Sequence, residues 1–252
     1  MIDFSPLVRL ALLLVRPGML VLVAPTIGGQ YLPAPVKIGL TVLLAIGLMP
    51  SVVVPPDLGG VPLTAVIARE VAVGLALAFV VRVLVASAEF AGHLSGFQIG
   101  FSYGATIDPQ SGVSNQMLAI LYGSLATLGL FAINGHHEIL RALAASYTGV
   151  PLGAGAVAET LPIAVRDMLG LFFNVGVRLA APVVIVLLLV ELVVGLIART
   201  QPALSYMVIG YPIRLVVGLM LVAALVGVVP AVITGALDQA MSLAARAAVA
   251  FR

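Results

Sequence analysis

Six apolar runs, at about 7–27, 36–54, 64–91, 117–133, 169–198 and 207–233, leave this chain few ways to fold. Each approaches the ~20 apolar residues that a membrane span takes. Too little polar surface remains to face water: 62% of the residues are hydrophobic and 9% are charged, against roughly 25% charged in a soluble domain. The expectation is an all-α, membrane-associated bundle, one compact unit over residues 1–252, whose solvent is a bilayer or a tight membrane assembly. "GGQYLPAPVK" and "PPDLGGVPL" punctuate the first three runs with turn residues, and "ARTQPALS" joins the last two as a helical hairpin. Six spans would place both termini on one side. Arg9, Arg69, Arg141, Arg166, Arg246 and Arg252 would then oppose Lys37, Arg199 and Arg214, a balance that leans toward cytoplasmic termini.

Several function classes drop out. The chain has no Cys, hence no disulfide, thiolate metal site or cysteine nucleophile. Lys37 is the sole lysine and no G-x-x-x-x-G-K-[ST] surrounds it, so a P-loop nucleotide site is absent. "GHHE" at 135–138 lacks the H-E-x-x-H zinc-protease spacing, and adjacent helical histidines point about 100° apart. No G-x-S-x-G elbow occurs. The pI is near 9.2, yet the formal net charge is only +2 and no basic cluster exists, which speaks against nucleic acid. No catalytic constellation, metal or cofactor is expected. The first run contains Arg9 and Arg16, meets Pro17 and shows no small-residue cleavage site, so no cleavable signal peptide is expected either.

Charges stand where lipid should be. Arg82 and Glu89 lie in the third run, Arg178 and Glu191 in the fifth. A central charge costs roughly 2.5–3.5 kcal/mol on insertion, while each Leu or Val returns only about 0.3–0.6. Seven residues put Arg82 and Glu89 on one face but two turns apart; Arg178 and Glu191 are thirteen apart and diverge. Partners on another helix or another subunit are expected, with snorkelling to an interface as the alternative.

Gly92, Gly96, Gly100 and Gly104 recur every fourth residue after Ala88. In a helix they form a smooth ridge for close packing. Each costs about 1 kcal/mol relative to Ala, so packing must offset the loss or the helix must break. They lead into "QIGFSYGATIDPQSGVSNQ", residues 98–116, where Asp108-Pro109 and "PQSG" carry turn chemistry. Non-helical backbone at membrane depth survives only when buried in protein or lining a watery cavity. A folded constriction or plug is the reading that follows. Asn134-Gly135 ends the fourth run, with Gly suited to a left-handed stop. In "HHEILRALAASYTGV", Ile139, Leu140, Leu143 and Tyr147 share a helical face, with Glu138 and Arg141 one turn apart on the polar side.

"GFQIGFSYGATIDPQSGVSNQML" followed by "LFAINGHHEILRALAASYTGVPLG" resembles the central signature of the flagellar biosynthesis protein FliR family, which includes protein T of injectisome type III secretion. "ELVVGLIARTQPALSYMVIGYPIRLVVGL" resembles its second signature, and "ARE" at 68–70 also fits. Ala203 and Ser205 depart from the Gln and Asn often found there. The resemblance implies kinked helical hairpins seated largely above the expected membrane plane, in place of six simple spans. It implies a core export-gate subunit in the bacterial inner membrane at the flagellar basal body. Its partners would be FliP and FliQ, with FlhB and FlhA alongside, and its cargo unfolded flagellar subunits. The loop at about 101–115 would close the pore, shaped by Gly100, Phe101, Gly104, Asp108, Pro109, Ser111 and Gly112. Arg82, Glu89, Gly92, Gly96, Arg178 and Glu191 would make inter-helix or inter-subunit contacts. "INGHH" leans toward the flagellar branch over the injectisome. A secondary transporter with a midplane site near 100–113 is the runner-up, although it calls for a second broken helix that the sequence lacks.

Overall fold

The structure is a computed structural model, and it describes residues 5–25, 28, 32–52, 62–101, 116–153, 161–200 and 210–249. Backbone groups that leave water must find partners inside their own segment, which selects helix for long apolar runs. Among the described residues eight α-helices result: α1 (Ser5–Val23), α2 (Ala34–Leu48), α3 (Leu63–Ile99), α4 (Gln116–Ala132), α5 (Gly135–Gly149), α6 (Leu161–Thr200), α7 (Tyr211–Leu225) and α8 (Val228–Val249). Among the described residues there is no strand.

The chain divides into two compact units. The first comprises residues 1–84, 130–171 and 236–252, the second 85–129 and 172–235. The core of the first includes Leu12, Leu20, Val66, Leu143 and Leu171; that of the second includes Ile99, Tyr122, Val183, Leu187 and Ile233. α3 and α6 contribute residues to both.

The apolar runs are found as helices, with instructive differences at their ends. α3 spans 37 residues and α6 spans 40, so each outruns its apolar core. The run at 207–233 is broken: α7 stops at Leu225 and α8 starts at Val228. Pro230 is the reason. Its ring excludes the carbonyl of Val226, four residues back, and it has no N–H to continue the ladder. At the end of the fourth run Asn134, not Gly135, takes the left-handed conformation, with φ 57°. Asn tolerates that region through local hydrogen bonding. Gly135 serves space instead, since a Cβ there would lie 3.0 Å from the Leu130 carbonyl oxygen. The "ARTQPALS" turn falls largely outside the described residues.

Length revises the expectation of six spans. Among the described residues three helices are long and apolar enough to cross a membrane, at Leu63–Ile99, Pro162–Thr200 and Val228–Ala247. The bent pair Met117–Ala132 and Gly135–Gly149, turning by 75°, makes a possible fourth. α1, α2 and α7 supply only shorter apolar stretches. α6 carries its apolarity outward: Leu188, Leu189, Leu192, Val193, Leu196 and Ile197 are all exposed. Exposed apolar surface of that extent marks a lipid or protein contact.

Candidate functional site

One heavily bonded buried polar group was passed over by sequence reasoning. Arg16 on α1 and Glu70 on α3 are both 0% exposed. Arg16 Nε donates to Glu70 Oε2 at 2.5 Å, and Nη2 donates to Glu70 Oε1 at 3.1 Å. Nη2 also donates to the Val150 carbonyl at 2.9 Å, while Nη1 donates to the Ser146 carbonyl at 3.1 Å and to Ser146 Oγ at 3.2 Å. A guanidinium has five N–H donors, and these five bonds employ them all. Glu70 Oε1 accepts a further bond from the Gly153 N–H at 2.9 Å. The guanidinium carbon stands 4.4 Å from the centroid of the Tyr147 ring, within cation–π range. A buried ion pair is tolerable when geometry is good and every remaining group is satisfied; here it ties α1, α3, the end of α5 and the turn at 150–153.

Pro17 explains why the neighbouring tyrosine is needed. Proline has no N–H, so the carbonyl of Leu13, four residues earlier, loses its helical partner. Tyr147 Oη donates to that carbonyl at 3.2 Å. One residue therefore repairs the ladder of α1 with its hydroxyl and faces Arg16 with its ring. The signal was present in the sequence, because Arg16 and Glu70 interrupt apolar runs just as Arg82 and Glu89 do.

Glu89 lies over Gly123 of α4: a Cβ on Gly123 would come within 2.8 Å of Glu89 Cγ and 3.1 Å of Oε1. Glu191 on α6 pairs with Arg214 on α7, Oε1 to Nη2 at 2.9 Å, with side chains 48% and 9% exposed. Arg82 is half-buried and Arg178 exposed. On α5, Ile139, Leu143 and Tyr147 are buried and Leu140 is half-buried. Glu138 and Arg141 form an ion pair on its outer side.

The glycine ladder divides into two functions. Gly92 and Gly96 are buried in α3. A Cβ on Gly92 would sit 2.4 Å from the Leu118 carbonyl oxygen and 2.7 Å from Ala119 Cα, so α4 approaches α3 backbone to backbone. Gly100 ends the helix rather than extending the ridge. Its φ is 102°, its N–H donates to the Phe97 carbonyl at 3.1 Å, and the Phe101 N–H donates to the Gly96 carbonyl at 3.1 Å. This is the Schellman cap, in which glycine removes the Cβ penalty of positive φ. Phe101 follows, half-buried. Gly104, Asp108, Pro109, Ser111 and Gly112 lie outside the described residues.

Residues 7–240 match the family described as bacterial export proteins, family 1. The chain is 31% identical over 217 residues to the flagellar biosynthetic protein FliR of Escherichia coli (strain K12), covering 84% of this chain and 82% of that one. It belongs to the FliR family. The likeness reaches FliR of Bacillus subtilis (strain 168), 27% identical over 232 residues, with 90% of this chain and 89% of the relative covered. It extends to the Yop proteins translocation protein T of Yersinia pestis, 26% identical over 219 residues, with 83% and 82% covered. As a FliR-family export protein the chain is a component of an export apparatus and not an enzyme. Within that family frame the buried Arg16 network, the Gly92 contact and the Gly100 cap read as structural parts of a membrane machine.

Proposed function

We propose that this chain is a core subunit of the flagellar type III protein-export gate and forms part of the pore through which unfolded flagellar subunits pass. The observation that carries this reading is the similarity to FliR over more than four-fifths of both chains. The subunit acts as one gate domain in the bacterial inner membrane at the flagellar basal body. It assembles with FliP and FliQ into a hetero-oligomer and works beside FlhB and FlhA. The extended outward apolar face of α6 suits such an assembly.

The stretch near 100–115 is the plug. Gly100 and Phe101 begin it, and Gly104, Asp108, Pro109, Ser111 and Gly112 shape it; the cap of α3 at Gly100, where the Gly- and Ser-rich sequence starts, supports this. Arg82, Glu89, Arg178 and Glu191 hold register between neighbouring helices or subunits, and Gly92 and Gly96 allow close approach. The gate is a conformational device: cargo displaces a plug that otherwise excludes small solutes.

A knockout scored for filament growth and hook-protein export tests the assignment, and normal motility overturns it. Deletion of 104–113 tests the plug. Assembly should persist while the membrane becomes leaky to small ions, and an unchanged leak after confirmed assembly removes the plug role. The likeness to translocation protein T favours one second reading, an injectisome gate. Loss of injectisome secretion with normal motility would select it.

A further inference from the structure

α2 is a 15-residue helix, APVKIGLTVLLAIGL, in which Lys37 and Thr41 are the only polar side chains. They stand one turn apart, and both line the same groove against α1, a cleft of about 490 Å³. The other lining residues are apolar or glycine, among them Leu14, Met19, Leu22 and Ile38. The size falls within the range of small-molecule clefts, roughly 300–1,000 Å³. Gly18 lies on its floor, where an added Cβ would make ordinary contact with Thr41 Cγ2 at 3.5 Å.

Three observations select the occupant. Ala45 is the one buried residue of α2, while Val36, Ile38, Val42, Leu43 and Ile46 are exposed. A helix apolar on nearly every face belongs in a protein core or in a membrane, and α2 packs only along the face that carries Lys37, Thr41, Leu44, Ala45 and Leu48. Lys37 is half-buried at the groove, and among the described residues no acidic side chain pairs with it. Lysine binds phosphate as a point charge, and basic pockets between membrane helices hold anionic head groups. Thr41 Oγ1 already donates to the Lys37 carbonyl at 2.8 Å, which satisfies the hydroxyl without a ligand. The ammonium is the polar group left to meet a ligand, and the rest of the groove accepts hydrocarbon.

We infer that the α1–α2 groove is a binding site for an anionic phospholipid, with one acyl chain along the Leu14–Leu22 face and the phosphate on Lys37. The site is independent of the gate assignment, since it rests only on these two helices.

The test uses the full chain, purified with its membrane partners, in nanodiscs of phosphatidylcholine alone or mixed with phosphatidylglycerol. Either lipid carries a photoreactive acyl chain. Labelling by phosphatidylglycerol should map to residues 14–22 and 37–42. Lys37→Gln should lower it about fivefold, the effect of one cationic residue beside anionic lipid, and Lys37→Arg should restore it. Labelling by phosphatidylcholine should not respond to Lys37. Gly18→Leu, which fills the groove, should reduce both, and the Lys37 pair remains decisive if that variant fails to fold. Equal labelling by the two lipids, indifference to Lys37→Gln, competition by inorganic phosphate, or crosslinking of this groove to a protein neighbour would each overturn the inference.

Discussion

Arg16 and Glu70, 54 residues apart in sequence, meet through two hydrogen bonds, from Nε at 2.5 Å and Nη2 at 3.1 Å, with neither side chain exposed. Removing one partner of such a pair strands the other charge, at a cost of about 3–5 kcal/mol. Arg16→Met and Glu70→Leu should each sharply reduce the amount of folded protein in membranes. The double substitution should recover much of that loss, because no uncompensated charge remains. Protease resistance of the membrane-inserted chain measures this, and additive losses in the double variant would contradict it.

Tyr147 and Pro17 should be coupled. Tyr147→Phe keeps the ring under Arg16 but leaves the Leu13 carbonyl unsatisfied, a loss of about 1–3 kcal/mol. Pro17→Ala supplies an N–H that can bond Leu13 in the helical manner. In the Pro17→Ala background, Tyr147→Phe should therefore cost clearly less. A double-mutant cycle on thermal stability reads the coupling directly.

Gly92 meets α4 backbone to backbone. Gly92→Val should push α4 from α3 and destabilise by about 1–3 kcal/mol, given that even a Cβ would lie 2.4 Å from a backbone oxygen. Gly39 on α2 is the control, with no atom within 4 Å of its built Cβ. Gly39→Ala should be neutral or stabilise by up to about 1 kcal/mol. Melting temperatures of the two variants should move in opposite directions or differ by several degrees.

Gly100 should rank substitutions by their tolerance of positive φ. Gly100→Asn is expected to be the mildest, since Asn visits the left-handed region. Gly100→Val should be the worst, at about 1–3 kcal/mol. Membrane abundance, followed by ion leak under the gate proposal, orders the series; equal effects of Asn and Val would rule out backbone strain as the cause.

Glu191 and Arg214 should respond unequally. Glu191 is about half exposed, so Glu191→Gln should cost at most about 1 kcal/mol. Arg214→Ala should cost more, because its buried stem loses packing as well as its partner. Reversing both charges should restore part of the loss in a stability assay.

Helix positions were legible because a helix is closed by bonds four residues apart and its apolar runs leave no other way to satisfy the backbone. The ordered motifs at 96–153 and 191–219 likewise carried the family. The break before Val228 was also written locally, in Pro230, but a hydropathy reading of 207–233 passed over it. Leu13, Pro17 and Tyr147 show the limit. Pro17 announces an orphan carbonyl, yet only the folded chain reveals that a side chain 134 residues away answers it.

What the sequence determined alone was thus an all-helical membrane chain of the FliR family, with a glycine ridge leading into a polar stretch. Tertiary structure decided that Gly92 packs against α4, and that Arg16 finds Glu70, Ser146 and Val150 together. The physical reason is range. Backbone bonding is decided within a turn of helix, whereas a buried charge is decided by which distant helices bring acceptors to it.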